Sequence, residues 1–225
     1  GTGYTKLLDF AGTTNGGNPW GSLISDGTFL YGMTNGGGSN SMGTVFKIKF
    51  DGTGYAKLFD FSGLSNGRNP RGDLFFDGTY LYGMTSVGGS DNFGVLFKIM
   101  PNGTGYTKLL NFDSITNGRN PYGSLISDGN YLYGMTSGSG TKSSNSFGTI
   151  FKIKTDGTAY SRLLEFDGAT KGRYPYGSLI SDGNYLYGMS FNGGNDNFGT
   201  LFKIMSDGTN FIKLILLFYI CLSLS

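Results

Sequence analysis

One phrase recurs along this chain at a nearly constant interval, and that repetition restricts the fold to an array of similar units. The phrase G-T-x-Y-x-K/R-L starts at Gly1, Gly52 and Gly103, which are 51 residues apart, then at Gly157 and, in altered form, at Gly208. The one longer interval contains three extra residues near positions 138–146, between two segments that recur unchanged. A connection that tolerates such an insertion is typical of a surface loop.

The repetition predicts a single repeat domain over residues 1–215. Its repeats run at about 1–51, 52–102, 103–156 and 157–207, with a partial fifth at 208–215. Residues 216–225 form an aberrant hydrophobic tail, in which Leu216 and Leu217 stand where the first repeat has Asp9 and Phe10. Its apolar run is shorter than the about 20 residues that a membrane helix needs. Three interpretations of the tail stay open: an artefact of the sequence end, a strand that closes a ring, or the start of a membrane anchor.

Each repeat contains four short segments with the apolar alternation of β-strands. In the first repeat these segments are residues 4–10, 21–25, 28–34 and 43–50. The second and third are joined by Asp26-Gly27, which has an equivalent in every repeat. Asp-Gly between two strand-like runs favours a type I′ hairpin turn, because both central positions of that turn need a positive φ. Four antiparallel strands in a unit of this length are typical of a propeller blade.

The strand centres carry apolar side chains on both faces. In the fourth segment Phe46 and Ile48 share one face, and Val45 lies on the other. A blade packed between two neighbours needs this pattern, whereas a sheet with one wet face alternates more cleanly. We therefore predict an all-β fold, a β-propeller of four-stranded antiparallel blades, either a four-bladed ring or a fragment of a larger one. A β-solenoid is the main alternative, although its coils are usually shorter and need no hairpin in each unit.

Composition argues against several classes of function. The chain has no histidine and a single cysteine, Cys221, so the commonest general base and the usual metal ligands are missing. A net charge of +2 offers no strong field to nucleic acid or to an anionic membrane. We predict no cofactor, no metal, no nucleic-acid partner and no membrane span within the repeats.

The carboxylates recur with the repeat or lie in turns, as Asp26, Asp51 and Asp77 do. A catalytic acid and base need different environments, so a catalytic site normally breaks the symmetry of a repeat. The sequence shows no such constellation, and we predict that the chain is not an enzyme. The loops at 90–92 and 195–197 resemble calcium loops only in part, because each offers one carboxylate. Turn formation explains them better.

One loop of the repeat carries residues that suit a binding rim. Its recurring arginine and aromatic positions are Arg68, Arg119 and Arg173, then, three residues later, Arg71, Tyr122 and Tyr176, with Trp20 in the first repeat. On one face of the fold, aromatic rings would stack on sugars and arginines would supply hydrogen bonds, which suits a glycan or a protein segment. The alternative is that each arginine clamps a neighbouring blade or stacks on its own tyrosine. The first repeat has Gly17 in place of this arginine, which weakens the prediction of a ring of arginine and aromatic side chains.

The phrases NP-x-G-x-L, LYGM-T and GT-x-FKI resemble the GloVer tandem repeat of "choice-of-anchor" bacterial surface proteins. The resemblance covers roughly residues 1–215. It implies a secreted or surface-attached, propeller-like array with a separate anchoring element that varies between members. It also implies that arrays of more than four repeats are common and that no catalytic residues are established for them.

These observations predict a non-catalytic extracellular or cell-surface module that acts as a binding or display scaffold for protein or glycan. The second hypothesis is a purely structural spacer in a longer surface or adhesin array. The third is a propeller hydrolase or lyase. The first two hypotheses differ in whether the rim side chains are exposed and uncommitted or buried between blades.

Overall fold

The short apolar runs of the repeat form strands, and glycine-rich turns separate them. The computed structural model describes residues 3–138 and 147–214, and this part of the chain contains 18 strands and no helix. The strands assemble into four antiparallel sheets in chain order, which we call blades 1 to 4. The predicted all-β class and propeller-type blades are therefore confirmed.

The strands of each blade keep the order of the repeat. Blade 1 contains β1 (Gly17–Pro19), β2 (Ile24–Ser25), β3 (Phe29–Gly36), β4 (Thr44–Lys49) and β5 (Ala56–Asp60). Blade 2 contains β6 (Arg68–Pro70), β7 (Phe75–Phe76), β8 (Leu81–Val87), β9 (Val95–Ile99) and β10 (Thr107–Asn111). Blade 3 contains β11 (Ile126–Ser127), β12 (Tyr131–Thr136), β13 (Thr149–Lys154) and β14 (Ser161–Glu165). Blade 4 contains β15 (Ile180–Ser181), β16 (Tyr185–Ser190), β17 (Thr200–Met205) and β18 (Ile212–Leu214).

One edge of each sheet is interrupted. In blade 1, β1 pairs with the end of β3 through Pro19 and Thr34, and β2 pairs with its start through Ile24 and Tyr31. Residues 20–23 leave the ladder between these two stretches. The central ladder between β3 and β4 is continuous over six residue pairs, and β5 forms the opposite edge.

The blades are offset from the sequence repeats by one strand. β5, β10 and β14 come from the first segment of one repeat but pair with the last strand of the repeat before it. β18 completes blade 4 in the same way. The predicted tail, residues 216–225, lies outside the described residues. Residues 4–10, for which the sequence predicts a strand, form none. That prediction is wrong because the strand would pair with a preceding blade, and the described residues contain no such blade.

The Asp-Gly turns differ from the prediction in their type. The NH of Asp26 donates to the carbonyl of Phe29 at 3.3 Å, so Gly27 and Thr28 are the central residues. Of these two, only Gly27 has a positive φ, of 91°. The predicted type I′ turn is therefore wrong, because it needs positive φ at both positions. The Asp26 carboxylate instead accepts hydrogen bonds from the NH groups of Thr28 and Phe29, at 2.8 and 2.7 Å, and holds the turn.

Apolar side chains of neighbouring blades form three separate cores, one at each junction. Between blades 1 and 2 the buried cluster contains Met33, Val45, Leu74 and Phe97. The equivalent clusters contain Met84, Leu96, Leu125 and Phe151 at the second junction, and Met135, Ile150, Leu179 and Phe202 at the third. Burying each of these side chains contributes about 1.5–3 kcal/mol. Each blade therefore depends on its neighbour for its hydrophobic core.

A lysine also ties each blade to the next. The ammonium of Lys47 lies 4.5 Å from the centroid of the Phe29 ring and donates to the carbonyl of Pro101 in blade 2. Lys98 and Lys152 make the same two kinds of contact at the next two junctions. A cation over an aromatic face gains electrostatic attraction, and the carbonyl fixes its direction. These lysines are therefore part of the blade junctions and not free surface charges.

The backbones of neighbouring blades come closest at the glycine of the NP-x-G phrase. A Cβ added to Gly21, Gly72 or Gly123 would lie 2.6, 2.3 or 2.0 Å from the carbonyl oxygen of the equivalent glycine in the next blade. The NH of Ser124 donates to Ser178 Oγ beside this contact, at 2.8 Å. The interrupted edges thus converge, and they form the inner edge of the arc of blades.

We expect Gly123→Ala to destabilise the protein and Gly177→Ala, at the equivalent position of blade 4, to leave it nearly unchanged. The methyl group added at position 123 would overlap the Gly177 carbonyl and lower the free energy of unfolding by about 1–3 kcal/mol. A Cβ at position 177 meets no atom of the described residues within 4 Å, so that variant should stay within about 0.5 kcal/mol of the parent. Urea denaturation of both variants measures the difference. Equal losses would contradict the role of this backbone contact.

The turn carboxylates make the stability sensitive to acid. Burial opposes the charged form of Asp77, but hydrogen bonds from the NH groups of Tyr80 and Thr79 and from the Tyr82 hydroxyl outweigh it and lower its pKa. The pKa of the equivalent turn aspartate in blades 1, 3 and 4 is lowered as well. Such carboxyls stabilise the fold above their unfolded pKa of about 4, and the contribution is lost as the pH falls through the folded pKa.

We therefore expect the urea midpoint to fall as the pH is lowered from about 4 to about 2. Asp77→Asn should flatten this dependence, because the amide does not titrate and still accepts hydrogen bonds in the turn. Denaturation curves at successive pH values measure the slope for the parent and the variant. A variant slope as steep as that of the parent would show that Asp77 contributes nothing to it.

Candidate functional site

The interruption of the inner edge presents one side chain from each blade. The interruption begins at the residue after the proline of NP-x-G. This residue is Trp20, Arg71, Tyr122 and Tyr176 in blades 1 to 4, respectively. Proline has no NH to donate, so it suits the end of a paired stretch. The following glycine lets the neighbouring backbones touch, and this brings the four side chains together. We call these four residues the axial cluster.

The axial cluster is a continuous stack of side chains. The guanidinium of Arg71 lies 4.5 Å from the ring centroid of Trp20 and 4.5 Å from that of Tyr122. Tyr122 meets Tyr176 nearly edge to face, with centroids 5.4 Å apart and an interplanar angle of 73°. Each contact joins consecutive blades, so the stack crosses all three junctions. Cation–π contacts of this kind contribute about 0.5–2 kcal/mol each.

The same four side chains line a cavity of about 420 Å³. Trp20 is 63% exposed and Tyr176 is 44% exposed, so two aromatic rings remain open to solvent. Arg71 forms neither a hydrogen bond nor an ion pair with any residue that the structure describes, and its Nε is buried. A partly buried cation without an acceptor gains strong hydrogen bonds from a carboxylate or a hydroxyl group. The cavity therefore combines open aromatic faces with an unsatisfied donor.

Tyr176 keeps its proton in this setting. Burial, and next the neighbouring phenols of Tyr122 and Tyr174, raise its pKa, and Arg71 opposes them. Its hydroxyl is therefore neutral and able to donate at physiological pH. Asp73, which follows Arg71 by two residues, accepts a hydrogen bond from the NH of Ser22 at the first junction. That carboxylate serves the blade junction and does not line the cavity.

The three other arginines of the predicted rim lie apart from the axial cluster. Nη2 of Arg68 donates to Oδ1 of Asn92 at 3.3 Å. Arg173 makes the equivalent bond, at 2.9 Å, to an asparagine of its own blade. The guanidinium of Arg119 lies 5.9 Å from the ring centroid of Phe93 in the preceding blade. The structure thus divides the predicted rim into the axial cluster, whose side chains meet, and an arginine set whose members contact their own loop or the preceding blade.

The loops that resemble calcium loops serve as turns. Asn92 and Asn197 adopt positive φ values of 63° and 64°. Their side-chain oxygens accept from the NH groups of Gly88 and Gly193 at 3.2 and 3.1 Å. Residues 3–138 and 147–214 contain no group of three His, Cys, Asp or Glu side chains that could hold a metal ion. In the same ranges, no helix has the length and apolarity to cross a membrane.

Two aromatic side chains beside the axial cluster were not singled out by the sequence pattern. Tyr174 stacks on Tyr176 with centroids 6.3 Å apart and an interplanar angle of 10°. The ring of Phe191, the residue after β16, lies 5.4 Å from the Tyr176 ring between centroids. The first three repeats have asparagine in place of Tyr174, and asparagine or serine in place of Phe191. The available signal was therefore a local departure of the fourth repeat from the other three.

The fold is similar to those of solved β-propellers. A chain of a nidogen/laminin complex matches with a TM-score of 0.59 and 15% identity, over 87% of this chain and 64% of that one. A putative TolB from Agrobacterium tumefaciens matches with a TM-score of 0.55 and 15% identity, over 84% and 62%. An oligogalacturonate lyase in complex with manganese matches with a TM-score of 0.56 and 14% identity, over 87% and 52%. The chain thus spans less than two thirds of each of these structures, and at such identities the likeness concerns the fold alone.

No curated protein matches the chain in sequence. The sequence model of one repeat family does match. It matches residues 1–147, which is more than half of the chain. That match agrees with the phrases NP-x-G, LYGM and FKI that recur in each blade. The chain belongs to the Gloeobacter/Verrucomicrobia repeat family.

Proposed function

We propose that this chain is a non-catalytic propeller module, secreted or held at the cell surface, that binds an acidic glycan in the cavity of the axial cluster. One observation carries the proposal. Arg71 has no acceptor among the described residues, while Trp20 and Tyr176 leave their rings open on either side of it.

The chemistry of the cavity suits a sugar that carries a carboxylate. The apolar face of a pyranose ring packs on an aromatic ring, as the exposed ring of Trp20 allows. A guanidinium presents several donors in a plane and matches a carboxylate better than an ammonium does. The neutral hydroxyl of Tyr176 adds a donor for a sugar oxygen. A neutral sugar would use the rings but would leave the charge of Arg71 unpaired.

The proposal of a non-catalytic role is supported by the way in which the carboxylates are used. Asp26, Asp77, Asp128 and Asp182 all hold the same turn, each with a tyrosine hydroxyl as donor. An acid and a base with different pKa values are needed for general acid–base catalysis. The axial cluster offers no carboxylate for such a pair. The proposed surface location is supported by the resemblance to repeats of bacterial surface proteins.

Trp20 provides a direct test, because it is the only tryptophan of the chain. We expect tetragalacturonic acid to change the fluorescence of Trp20 in a saturable titration. The methyl-esterified form of the same oligosaccharide has no carboxylate charge and should bind more weakly. An unchanged emission spectrum with both oligosaccharides up to millimolar concentrations would rule out an acidic glycan of this kind.

Arg71→Met should raise the dissociation constant of the acidic oligosaccharide by roughly 10- to 100-fold, because a charged hydrogen bond is lost. It should leave the weaker binding of the methyl ester nearly unchanged. Arg68→Met is the matched control, since Arg68 bonds to Asn92 and does not line the cavity. Equal effects of both substitutions on binding would show that overall charge, and not the cavity, attracts the ligand.

The spacer hypothesis keeps one specific observation in its favour. Arg71 is clamped between rings of the two adjacent blades, which stabilises both junctions. As a spacer, the protein would lose stability on substitution of Arg71, Tyr122 or Tyr176 by alanine and would bind no oligosaccharide. Denaturation midpoints and the titration above, measured on the same variants, separate the two hypotheses.

A further inference from the structure

The third blade junction differs from the first two in a pair of facing side chains. The strands β2, β7, β11 and β15 have two residues each, and alternation turns the first toward the following blade and the second toward the preceding blade. Ile24 and Phe76 accordingly pack into the core between blades 1 and 2, and Phe75 packs into the core between blades 2 and 3. Each junction thus has one such pair. The pairs are Ile24 with Phe76, Phe75 with Ser127, and Ile126 with Ser181.

The two phenylalanine rings lie against a tyrosine that recurs at each junction. Phe76 stacks on Tyr31 across the first junction, with centroids 6.4 Å apart and an interplanar angle of 24°. At the second junction the Phe75 ring lies 6.2 Å from the Tyr82 ring between centroids. Tyr133 is the equivalent tyrosine at the third junction, where the facing pair supplies no ring.

The space beside Tyr133 is a cavity of about 430 Å³. Leu186 and Tyr133 are buried, whereas Asp128 and Ser181 are exposed at its opening. A cavity of about 150 Å³ is enough to bind benzene when its walls are apolar. The cavity therefore has room for an aromatic ring. Its lining includes Ile126, Asp128, Tyr133, Ser181, Leu186 and Ser206.

The opening of the cavity carries a charged acceptor and a donor. Oδ2 of Asp128 accepts from the Tyr133 hydroxyl at 2.7 Å. Burial opposes the charged form of Asp128, but hydrogen bonds, first from the NH of Tyr131 and then from the Tyr133 hydroxyl, outweigh it and lower its pKa. The carboxylate is therefore ionised at neutral pH and can accept a further bond. Oγ of Ser181 accepts from the NH of Gly183 at 3.0 Å, while its hydroxyl donates to no acceptor among the described residues.

We propose that this cavity binds a small phenol. The aromatic ring lies beside Tyr133 as the Phe76 ring lies beside Tyr31. The phenol hydroxyl donates to the carboxylate of Asp128, which gives a charge-assisted hydrogen bond, and accepts from the hydroxyl of Ser181. The site shares no lining residue with the cavity of the axial cluster, so the proposal does not depend on the glycan.

A phenol suits the cavity better than a neutral sugar does. A pyranose carries hydroxyl groups around its whole ring, and burying one without a partner is unfavourable. The buried walls of the cavity are apolar at Leu186, and the polar groups lie at its opening. A planar ring with a single hydroxyl matches this division.

An NMR titration of the whole chain with three probes tests the proposal. We expect phenol to shift the δ1-methyl resonance of Ile126 in a saturable way, with a dissociation constant on the order of 1 mM. Anisole has the same ring without the hydroxyl donor and should bind roughly 10-fold more weakly or less tightly still. Glucose should give no saturable shift. A shift with glucose, equal binding of phenol and anisole, or no saturable shift with phenol would each overturn the proposal.

Two substitutions at one position separate the space from the hydroxyl. Ser181→Phe supplies the ring that Phe76 supplies at the first junction, so it should abolish the saturable shift and raise the urea midpoint. Ser181→Ala is the matched control, because it loses the same bond to the NH of Gly183 but keeps the space. It should bind phenol only about 2- to 10-fold more weakly than the parent. Binding that survives Ser181→Phe, a lower midpoint of that variant, or binding lost in Ser181→Ala would contradict the site.

The reverse substitution should create a second site. Phe76→Ser gives the first junction the isoleucine and serine pair of the third. We expect phenol to shift the δ1-methyl resonance of Ile24 in a saturable way in this variant and not in the parent. An Ile24 resonance that does not respond in the folded variant would show that a missing phenylalanine does not make the site, and the proposal would fail.

Discussion

Each blade has apolar side chains on both faces, and water is a poor solvent for both. A single sheet of this kind would leave at least one apolar face exposed to water. The blades are therefore stable only when they pack face to face in a row. This constraint explains why the cores lie between the sheets, around Met33, Met84 and Met135, and not within any one repeat. It also explains the tight glycine contacts, because packing two sheets face to face brings their inner edges together.

Much of the fold could be predicted from the sequence because the same pattern of apolar and turn residues occurs in four repeats. The apolar alternation of 28–34 and 43–50 predicts β3 and β4 to within two residues, since these strands are held by their own hairpin. The failures concern contacts that no local pattern encodes. Residues 4–10 have the pattern of a strand but have no partner strand in the described part of the chain. The turn at Asp26 follows the geometry of its carboxylate bonds.

The candidate site could be predicted only in part. The register of the repeat identified Trp20, Arg71, Tyr122 and Tyr176 as equivalent positions, but their contact with one another depends on the angle between blades. The sequence gives no reason to separate Arg68 from Arg71, although one bonds to its own turn and the other stacks across two junctions. The side chains at these four positions differ between blades, as do those of Tyr174 and Phe191 beside them, whereas the strand centres repeat. The strands repeat from blade to blade, whereas the side chains of the axial cluster do not.

The offset between repeats and blades has a consequence for how such a chain can change in length. The outer strand of each of blades 1 to 3 is supplied by the next repeat, as β5, β10 and β14 are. A duplication or loss of one whole repeat, cut at any point in phase, therefore leaves every such sheet with an outer strand from the equivalent segment of the next repeat. Growth of the array by unequal crossing-over would conserve the strand pairings and would alter the order of the side chains that meet along the axis. The number of repeats and the side chains that meet along the axis are in this way free to vary together while the architecture stays constant.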